Sequence, residues 1–147
     1  MDVDQFKEMS KQLNAGAYGF QNQVNLRISG IQGEFIERIN DTIHQNLDNS
    51  SFGGVDLAKS INLSTSHFYR KFKLITGQNP NPYIRNYRLR IAAKLLSNNP
   101  EIRVKTVMYD VGFESASHFC HAFKKKYGLS PSDWLTGATI GELTENF

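Results

Sequence analysis

The sequence predicts an all-α fold in which two similar helical subdomains are joined by a central linker helix. Apolar residues recur at spacings of three and four from residue 34 onward, which is the period of an amphipathic helix. Polar residues able to cap a helix precede these apolar stretches, and glycines follow them. The chain also repeats part of its own sequence, and nothing in residues 34–134 requires a strand.

The composition is that of a compact globular protein. Hydrophobic residues make up 39% of the 147 positions and include 10 Phe and 6 Tyr, so a packed core can form and wholesale disorder is excluded. The single cysteine, Cys120, excludes an intrachain disulfide framework and agrees with a reducing compartment such as the bacterial cytoplasm. No apolar run reaches the roughly 18 residues of a membrane helix, and the polar, acidic N-terminus is unlike a signal peptide.

The charge is unevenly distributed along the chain. The formal net charge is only +3, but residues 59–126 carry 13 Lys and Arg and three acidic residues, a local charge of +10. Such a basic segment is typical of a surface that binds a polyanion, and it is also compatible with an ordinary solvated surface. Charge alone leaves both interpretations open.

Residues 1–33 are interpreted as an N-terminal extension or the remnant of a linker. Residues 2–13 have the spacing of a short amphipathic helix, and the alternation of apolar residues over 24–28 is typical of a short strand. No function is inferred for this segment.

Residues 34–80 are predicted to form the first subdomain. Its predicted helices are 34–46, 55–61 and 64–76. Asn62 is suited to a left-handed turn after the second helix. Ser64 is the expected N-cap of the third helix, and Gly77 is expected to end it.

Residues 81–98 are predicted to form the central linker helix, with Asn81 as its cap and Pro82 in its first turn. Residues 99–134 are predicted to form the second subdomain, and residues 135–147 a C-terminal tail. The predicted helices of the second subdomain are 104–111 and 115–127.

An internal repeat is the strongest single signal in the sequence. Residues 64–73 align without gaps on residues 115–124 at a constant offset of 51, so Ser115 is expected to cap its helix as Ser64 does. The same alignment pairs Gly77 with Gly128, Pro80 with Pro131 and Tyr83 with Trp134. Each copy is a short helix, a tight turn and a longer helix with polar early positions, which is the helix-turn-helix pattern. A repeated helical hairpin that binds no nucleic acid has the same topology, and the basic charge favours the first interpretation.

The longer helix of each copy carries a polar face suited to reading base edges in a DNA major groove. In the first copy this face presents Ser66, Tyr69, Arg70 and Lys73, and in the second copy Ser117, Cys120, His121 and Lys124. Arg70 can donate two hydrogen bonds to one guanine, and His121 can donate one. The expected phosphate contacts of the two helices are Lys73, Lys124, Lys125 and Lys126.

Each of these assignments has a structural alternative. Tyr69 can cover the hydrophobic core while its hydroxyl stays in water. His67 and His118 are equivalent in the repeat, so they can share a structural task such as hydrogen bonding in the turn. Three consecutive lysines are usually a solvated helix face.

No residue pattern predicts an enzyme, a cofactor site or a metal site. The sequence has no nucleophile elbow, phosphate-binding glycine loop or dinucleotide fingerprint. His118, Cys120 and His121 lie close together, but Cys120 points away from the histidines and structural zinc requires four ligands. The expected function is therefore binding.

Residues 34–134 resemble the C-terminal DNA-binding domain of AraC/XylS-type transcription regulators. The run VGFESASHFCHAFKKKYGLSPSDW carries most of the resemblance, together with Tyr83-Ile84-Arg85 and Arg88-Leu89. The resemblance implies two helix-turn-helix subdomains whose recognition helices, 64–76 and 115–127, enter successive major grooves of double-stranded DNA ~34 Å apart. Carried over to this sequence, it assigns base reading to Ser66, Tyr69, Arg70, Ser117, His118 and His121.

Arg88 on the central helix matches a typical arginine of that family. The resemblance leaves two roles open for it, a phosphate contact or a brace between the subdomains. The sequence departs from the family pattern at Met108, where alanine is usual, at Asp110-Val111, which shifts the local packing, and at His121, which stands where an arginine would read best. These departures put in doubt the packing angle of the second subdomain and the strength of its base contacts.

The run YRKFKLITGQNPNPYIRNYRLRIAAKLL is similar to the output domains of hybrid two-component regulators of Bacteroidetes type. This similarity implies sensor or receiver domains upstream, outside this chain, and the AraC/XylS resemblance implies an activator with RNA polymerase as a partner. A small stand-alone regulator is the alternative within this class, and dimerisation is not predicted either way. The alternative in another class is a helical protein–protein interaction module whose basic face binds an acidic partner.

Overall fold

The computed structural model describes residues 30–137 and contains only helices and connecting turns over that range. The helices are α1 (Gly30–Gln45), α2 (Gly54–Ser60), α3 (Thr65–Thr76), α4 (Pro80–Asn98), α5 (Val104–Asp110), α6 (Ala116–Tyr127) and α7 (Pro131–Leu135). The prediction of an all-α fold is confirmed for this part of the chain. The helix expected at 2–13, the strand expected at 24–28 and most of the C-terminal tail lie outside the described residues.

The first subdomain begins with α1, whose fully buried Ile39 and Ile43 face the core as their spacing predicts. Asn62 follows α2 with a φ of 59°, the left-handed turn expected there. Ser64 then caps α3, since its side chain accepts a hydrogen bond from the backbone N–H of His67 at 3.2 Å. The helix ends at Gly77, which has a φ of 75°.

The central helix α4 starts earlier than predicted. It begins at Pro80, with Asn79 in the N-cap position, whereas Asn81 and Pro82 were expected to start it. Proline is tolerated in the first turn because its missing N–H has no helical partner there, and both prolines satisfy this condition. Asn81 has a different task, because its side-chain oxygen accepts a hydrogen bond from the backbone N–H of Gly54 at 2.8 Å.

Buried residues occur on more than one side of α4. The ten buried positions include Ile84, Tyr87, Leu89, Ile91, Leu95 and Leu96. A helix that is apolar around most of its circumference packs against neighbours on several sides. The helix contacts both subdomains, and one continuous hydrophobic core extends through all of them.

The second subdomain repeats the first and adds a short helix, α7, that the sequence analysis had not identified. Ser130 caps α7 by accepting a hydrogen bond from the Asp133 N–H at 3.2 Å. The indole N–H of Trp134 donates to the Ala93 carbonyl at 3.0 Å and to the Ser97 hydroxyl at 2.9 Å, both on α4. The C-terminal end of the described chain is thereby fixed to the central helix.

The sequence repeat is reproduced in the packing. The ring of Phe72 meets Tyr83 edge-on at 5.0 Å between centroids, and the ring of Phe123 meets Trp134 edge-on at 5.7 Å. Phe123 and Trp134 follow Phe72 and Tyr83 by the same offset of 51 residues. Each recognition helix is therefore seated on its subdomain by equivalent aromatic contacts. No helix within residues 30–137 is long and apolar enough to cross a membrane.

Candidate nucleic-acid interface

Matching turns connect the two helices of each helix-turn-helix unit. The N–H of Leu63 donates to the Ala58 carbonyl at 3.0 Å, and the N–H of Phe113 donates to the Met108 carbonyl at 2.9 Å. Ala58 and Met108 are both buried, so the larger methionine is accommodated between the helices of the second unit. Gly112 takes a φ of 87° in this second turn.

Capping and core packing fix the rotation of each recognition helix about its axis. Ser115 caps α6 as Ser64 caps α3, because its hydroxyl accepts a hydrogen bond from the backbone N–H of His118 at 3.3 Å. The fully buried residues of the two helices are Phe68, Phe72, Phe119 and Phe123. With these rings in the core, the opposite side of each helix faces outward. The caps and stops predicted for both helices are confirmed.

The first reading face lies on α3 and consists of Ser66, Tyr69, Arg70 and Lys73. Ser66, Arg70 and Lys73 are exposed, whereas Tyr69 is half-buried. These four residues line a shallow open depression of about 580 Å³ together with Leu74 and Asn79. The structure therefore brings together all the residues predicted on this face.

Tyr69 occupies one edge of the first reading face. Its ring packs edge-on against Phe68 with 6.0 Å between centroids, and its hydroxyl accepts a weak hydrogen bond from the side chain of Asn81 at 3.4 Å. A Cβ added at Gly54 would overlap this hydroxyl, so the glycine makes room for the ring. The residue covers the core, as its structural alternative expected, and still lines the depression.

The second reading face lies on α6 and consists of Ser117, His121, Lys124 and Lys125, all of which are exposed. Cys120, at the position equivalent to Tyr69, is half-buried. His118 is exposed at the edge of this face, and its ring meets the ring of Phe113 at 5.6 Å between centroids. The contact places His118 against the turn.

Lys126 is exposed like Lys124 and Lys125, but it lies on another side of α6. It follows Phe123 by three residues and Phe119 by seven, so it lies on the flank of the helix nearest to the buried rings. Its ammonium lies 5.6 Å from the centre of the Tyr127 ring. Burial lowers the pKa of Lys126 from its ordinary value, and the nearby Arg90 guanidinium lowers the pKa further. Of the three exposed lysines, Lys124 and Lys125 thus lie farthest around the helix from the buried rings.

Arg88 is a brace, and the phosphate contact that was expected as its other role is wrong. Only 5% of the residue is exposed. Its guanidinium donates hydrogen bonds to the backbone carbonyls of Leu47, Asn49, Phe52 and Val111. The first three acceptors lie in the segment between α1 and α2, and Val111 follows α5. A guanidinium that is buried among protein carbonyls cannot reach a phosphate.

Burial lowers the pKa of Arg88, and the Asp48 carboxylate counteracts this by raising it. Gly112 lies directly beside the brace, because a Cβ there would overlap the Arg88 guanidinium and the Leu47 carbonyl oxygen. A further link joins the same two segments, as the Ser50 hydroxyl donates to the Glu114 carboxylate at 2.7 Å. The first subdomain is therefore bonded directly to the turn of the second helix-turn-helix unit.

Leu74 belongs to this surface but was not predicted from the sequence. It is an exposed apolar residue on α3 that follows Arg70 by four positions. The repeat pairs it with Lys125, which was predicted, so the same alignment could have identified it. Within the part of the chain that the structure describes, no group of three His, Cys, Asp or Glu side chains could hold a metal ion.

Comparison with protein families gives one matching model, described as a helix-turn-helix domain, over residues 57–137. A histidine kinase of Formosa agariphila is 29% identical over 109 residues, which are 74% of this chain and 8% of that protein. The HTH-type transcriptional regulator MtrA of Neisseria gonorrhoeae is 35% identical over 78 residues, which are 53% of this chain and 26% of that protein. The chain thus spans well under two thirds of the length of these relatives.

Solved structures with the same arrangement include two C-terminal domains of response regulators. The C-terminal domain of AraT from Geobacillus stearothermophilus superposes with a TM-score of 0.65 at 25% identity, over 78% of this chain and 90% of that one. The C-terminal domain of yesN from Fusobacterium nucleatum gives a TM-score of 0.63 at 26% identity, over 69% of this chain and 98% of that one.

Proposed function

The chain belongs to the AraC-type helix-turn-helix family of DNA-binding transcription regulators, and on this premise we propose that it reads a bipartite DNA site through α3 and α6. The family and the fold are those of regulators and not of enzymes. In this proposal each recognition helix enters one major groove, and the two grooves are successive on the duplex.

One observation carries the proposal. Arg70 and His121 occupy equivalent positions of the repeat, both are exposed, and both are presented by helices with the same cap and the same aromatic seat. A protein that binds two DNA half-sites requires two polar helix faces that are held in equivalent orientations. The basic charge of residues 59–126 supplies the attraction to phosphate that such binding needs.

We assign distinct roles to residues within each face. Ser66 and Arg70 read bases in the first half-site, and Ser117 and His121 read bases in the second half-site. Tyr69 and His118 border these faces and make the outermost base contacts. Lys73, Lys124 and Lys125 bind phosphates and set the position of the helices without reading sequence.

The first test is selection of binding sites from a random duplex library by the 147-residue chain at near-physiological salt. We expect an enriched motif with two half-sites about one helical turn apart. The affinity for this motif should exceed that for scrambled DNA of the same length by roughly 10³-fold or more. Weak binding without enrichment, equal for all duplexes, would contradict the proposal.

We further propose that the chain is the output domain of a larger signalling protein that acts in the bacterial cytoplasm. The similarity to a short part of a histidine kinase and to the C-terminal domains of response regulators supports this assignment. RNA polymerase is the partner expected for an activator of this kind. An antibody against the 147-residue chain should detect a much longer polypeptide in lysates of the source cells, and a band at the mass of the chain alone would contradict this proposal.

A further inference from the structure

Leu74 is the most exposed of the large apolar residues that the structure describes, with 85% of its surface accessible. It lies one helical turn after Arg70 on α3 and directly follows Lys73. Residues four apart on a helix are neighbours on its surface, so Leu74 extends the first reading face toward the C-terminal end of the helix. An exposed leucine is ordinary by itself, but this one lies beside Arg70 on the face that is proposed to meet DNA.

The fold does not require this leucine. The core side of α3 is occupied by Phe68 and Phe72, which are fully buried. The equivalent position in the second copy is Lys125, a polar residue on a helix with the same seat. Leu74 also lines the depression of about 580 Å³ that Arg70 and Lys73 line. Its side chain is therefore directed to the place where a bound partner of α3 would lie.

We propose that Leu74 contacts the C5-methyl group of a thymine next to the base that Arg70 reads. This inference rests on the proposed function and names a specificity-determining residue within it. The thymine methyl is the apolar group that base edges offer in the major groove, and apolar side chains recognise it by contact. Arg70 and Lys73 flank Leu74 with positive charge, which complements a phosphate-lined groove and disfavours an apolar protein surface as the partner.

The first half-site is thus read by two kinds of contact. Arg70 supplies hydrogen bonds to a guanine, and Leu74 supplies contact with a methyl group on a neighbouring base pair. In the second half-site Lys125 stands where Leu74 stands in the first, so the second half-site has no corresponding preference for thymine. The two half-sites of the motif should consequently differ in sequence.

The test removes single methyl groups from the DNA. The motif selected by the wild-type chain is synthesised with each thymine in turn replaced by deoxyuridine, and affinities are measured for the wild type and for Leu74→Ala. We expect one substitution in the first half-site to weaken wild-type binding about fourfold, the effect of one buried methyl group. Leu74→Ala should bind the unmodified motif more weakly and show no difference between thymine and deoxyuridine at that position.

A matched control is Val55→Ala, because Val55 is also an exposed apolar residue but lies on α2 and is not among the residues that line the depression beside Arg70. It should keep the full discrimination between thymine and deoxyuridine. Leu74→Lys, which copies the second unit, should gain affinity for all DNA at low salt and lose the same discrimination.

The outcomes separate this inference from the proposed function. If the wild type selects no motif, both fail. If Arg70→Ala weakens binding to the motif while Leu74→Ala and the wild type respond equally to every deoxyuridine substitution, the inference about Leu74 is wrong and the proposed function stands.

Discussion

The Nη1 atom of Arg88 lies 2.8 Å from the carbonyl oxygen of Val111 and thereby bonds the central helix to the end of α5. The same guanidinium binds three carbonyls between α1 and α2. One side chain therefore joins the linker helix to the first subdomain and to the second helix-turn-helix unit. The spacing of two half-sites can be read only if the two recognition helices keep a fixed relation to each other.

We expect Arg88→Ala to lower the free energy of unfolding by about 3 kcal/mol, because it leaves several buried carbonyls without donors. Arg88→Lys should recover only part of this loss, since a single ammonium cannot reach all four acceptors. Urea denaturation followed by circular dichroism measures both values. The control is Arg85→Ala on the same helix, where the residue is exposed and the change should stay within about 0.5 kcal/mol. Equal effects at Arg85 and Arg88 would contradict the brace.

Gly112→Ala should be much more destabilising than Gly77→Ala, although both glycines have a positive φ. Nothing lies within 4 Å of a Cβ added at Gly77, so only backbone strain of roughly 1–2 kcal/mol is expected there. At Gly112 the added Cβ also displaces the Arg88 guanidinium, which raises the expected cost to about 3 kcal/mol or more. Thermal unfolding of the two variants under one set of conditions compares them, and similar losses would show that the contact with Arg88 is unimportant.

Arg70→Ala should lose roughly 1–3 kcal/mol of binding free energy on the selected motif and relax the preference at one base pair. Lys71→Ala is the matched control, since it removes the same charge from the next position. Lys71 points to the core side, where its ammonium lies 4.5 Å from the centre of the Phe35 ring. Repeating the library selection with each variant gives the base preferences. A loss at Arg70 that is the same for all sequences would argue against base reading.

Lys125→Ala should weaken binding to every duplex by a similar factor and reduce the slope of log K against log salt by about one unit. Lys126→Ala removes the same charge from the flank of the same helix nearest to the core, and we expect a smaller change in slope. Affinities measured over a series of salt concentrations on the selected motif and on scrambled DNA test this difference. Identical slopes for the two variants would mean that the face of α6 does not decide which lysine meets phosphate.

Local signals predicted the helix ends well, for a physical reason. Ser64, Ser115, Gly77 and Gly128 act through their own side chain or their own φ, so the sequence around each is sufficient. The start of α4 was misplaced because Pro80 and Pro82 both suit a first helical turn. The sequence predicts Asn81 as a cap, but its partner is the Gly54 N–H, which is 27 positions away in sequence and which no local pattern indicates.

The predictions of site residues also succeeded where neighbouring residues determine the position and failed where distant residues determine it. The outward faces of α3 and α6 follow from helical periodicity, and this predicted Ser66, Arg70, Ser117 and His121 as exposed neighbours. The role of Arg88 depends on carbonyls up to 41 positions away, which no local reading can supply. The sequence predicts the same phosphate contact for Lys126 as for the two lysines before it. Successive positions on a helix are rotated by about 100°, and three identical residues in a row give no sign of which one faces the DNA.

Because Trp134 packs on α4, tryptophan fluorescence reports on the second subdomain separately from the first. It is the sole tryptophan of the chain, and Tyr83 takes its place in the first subdomain. Its indole N–H is held by Ala93 and Ser97, so loss of that contact exposes the indole to water and shifts its fluorescence emission to longer wavelength. Tryptophan emission excited at about 295 nm thus measures the unfolding of the second subdomain, whereas far-ultraviolet circular dichroism measures the loss of helix in both subdomains. With the Arg88 brace intact the two denaturation curves should coincide, and in Arg88→Ala they should separate as the halves unfold independently.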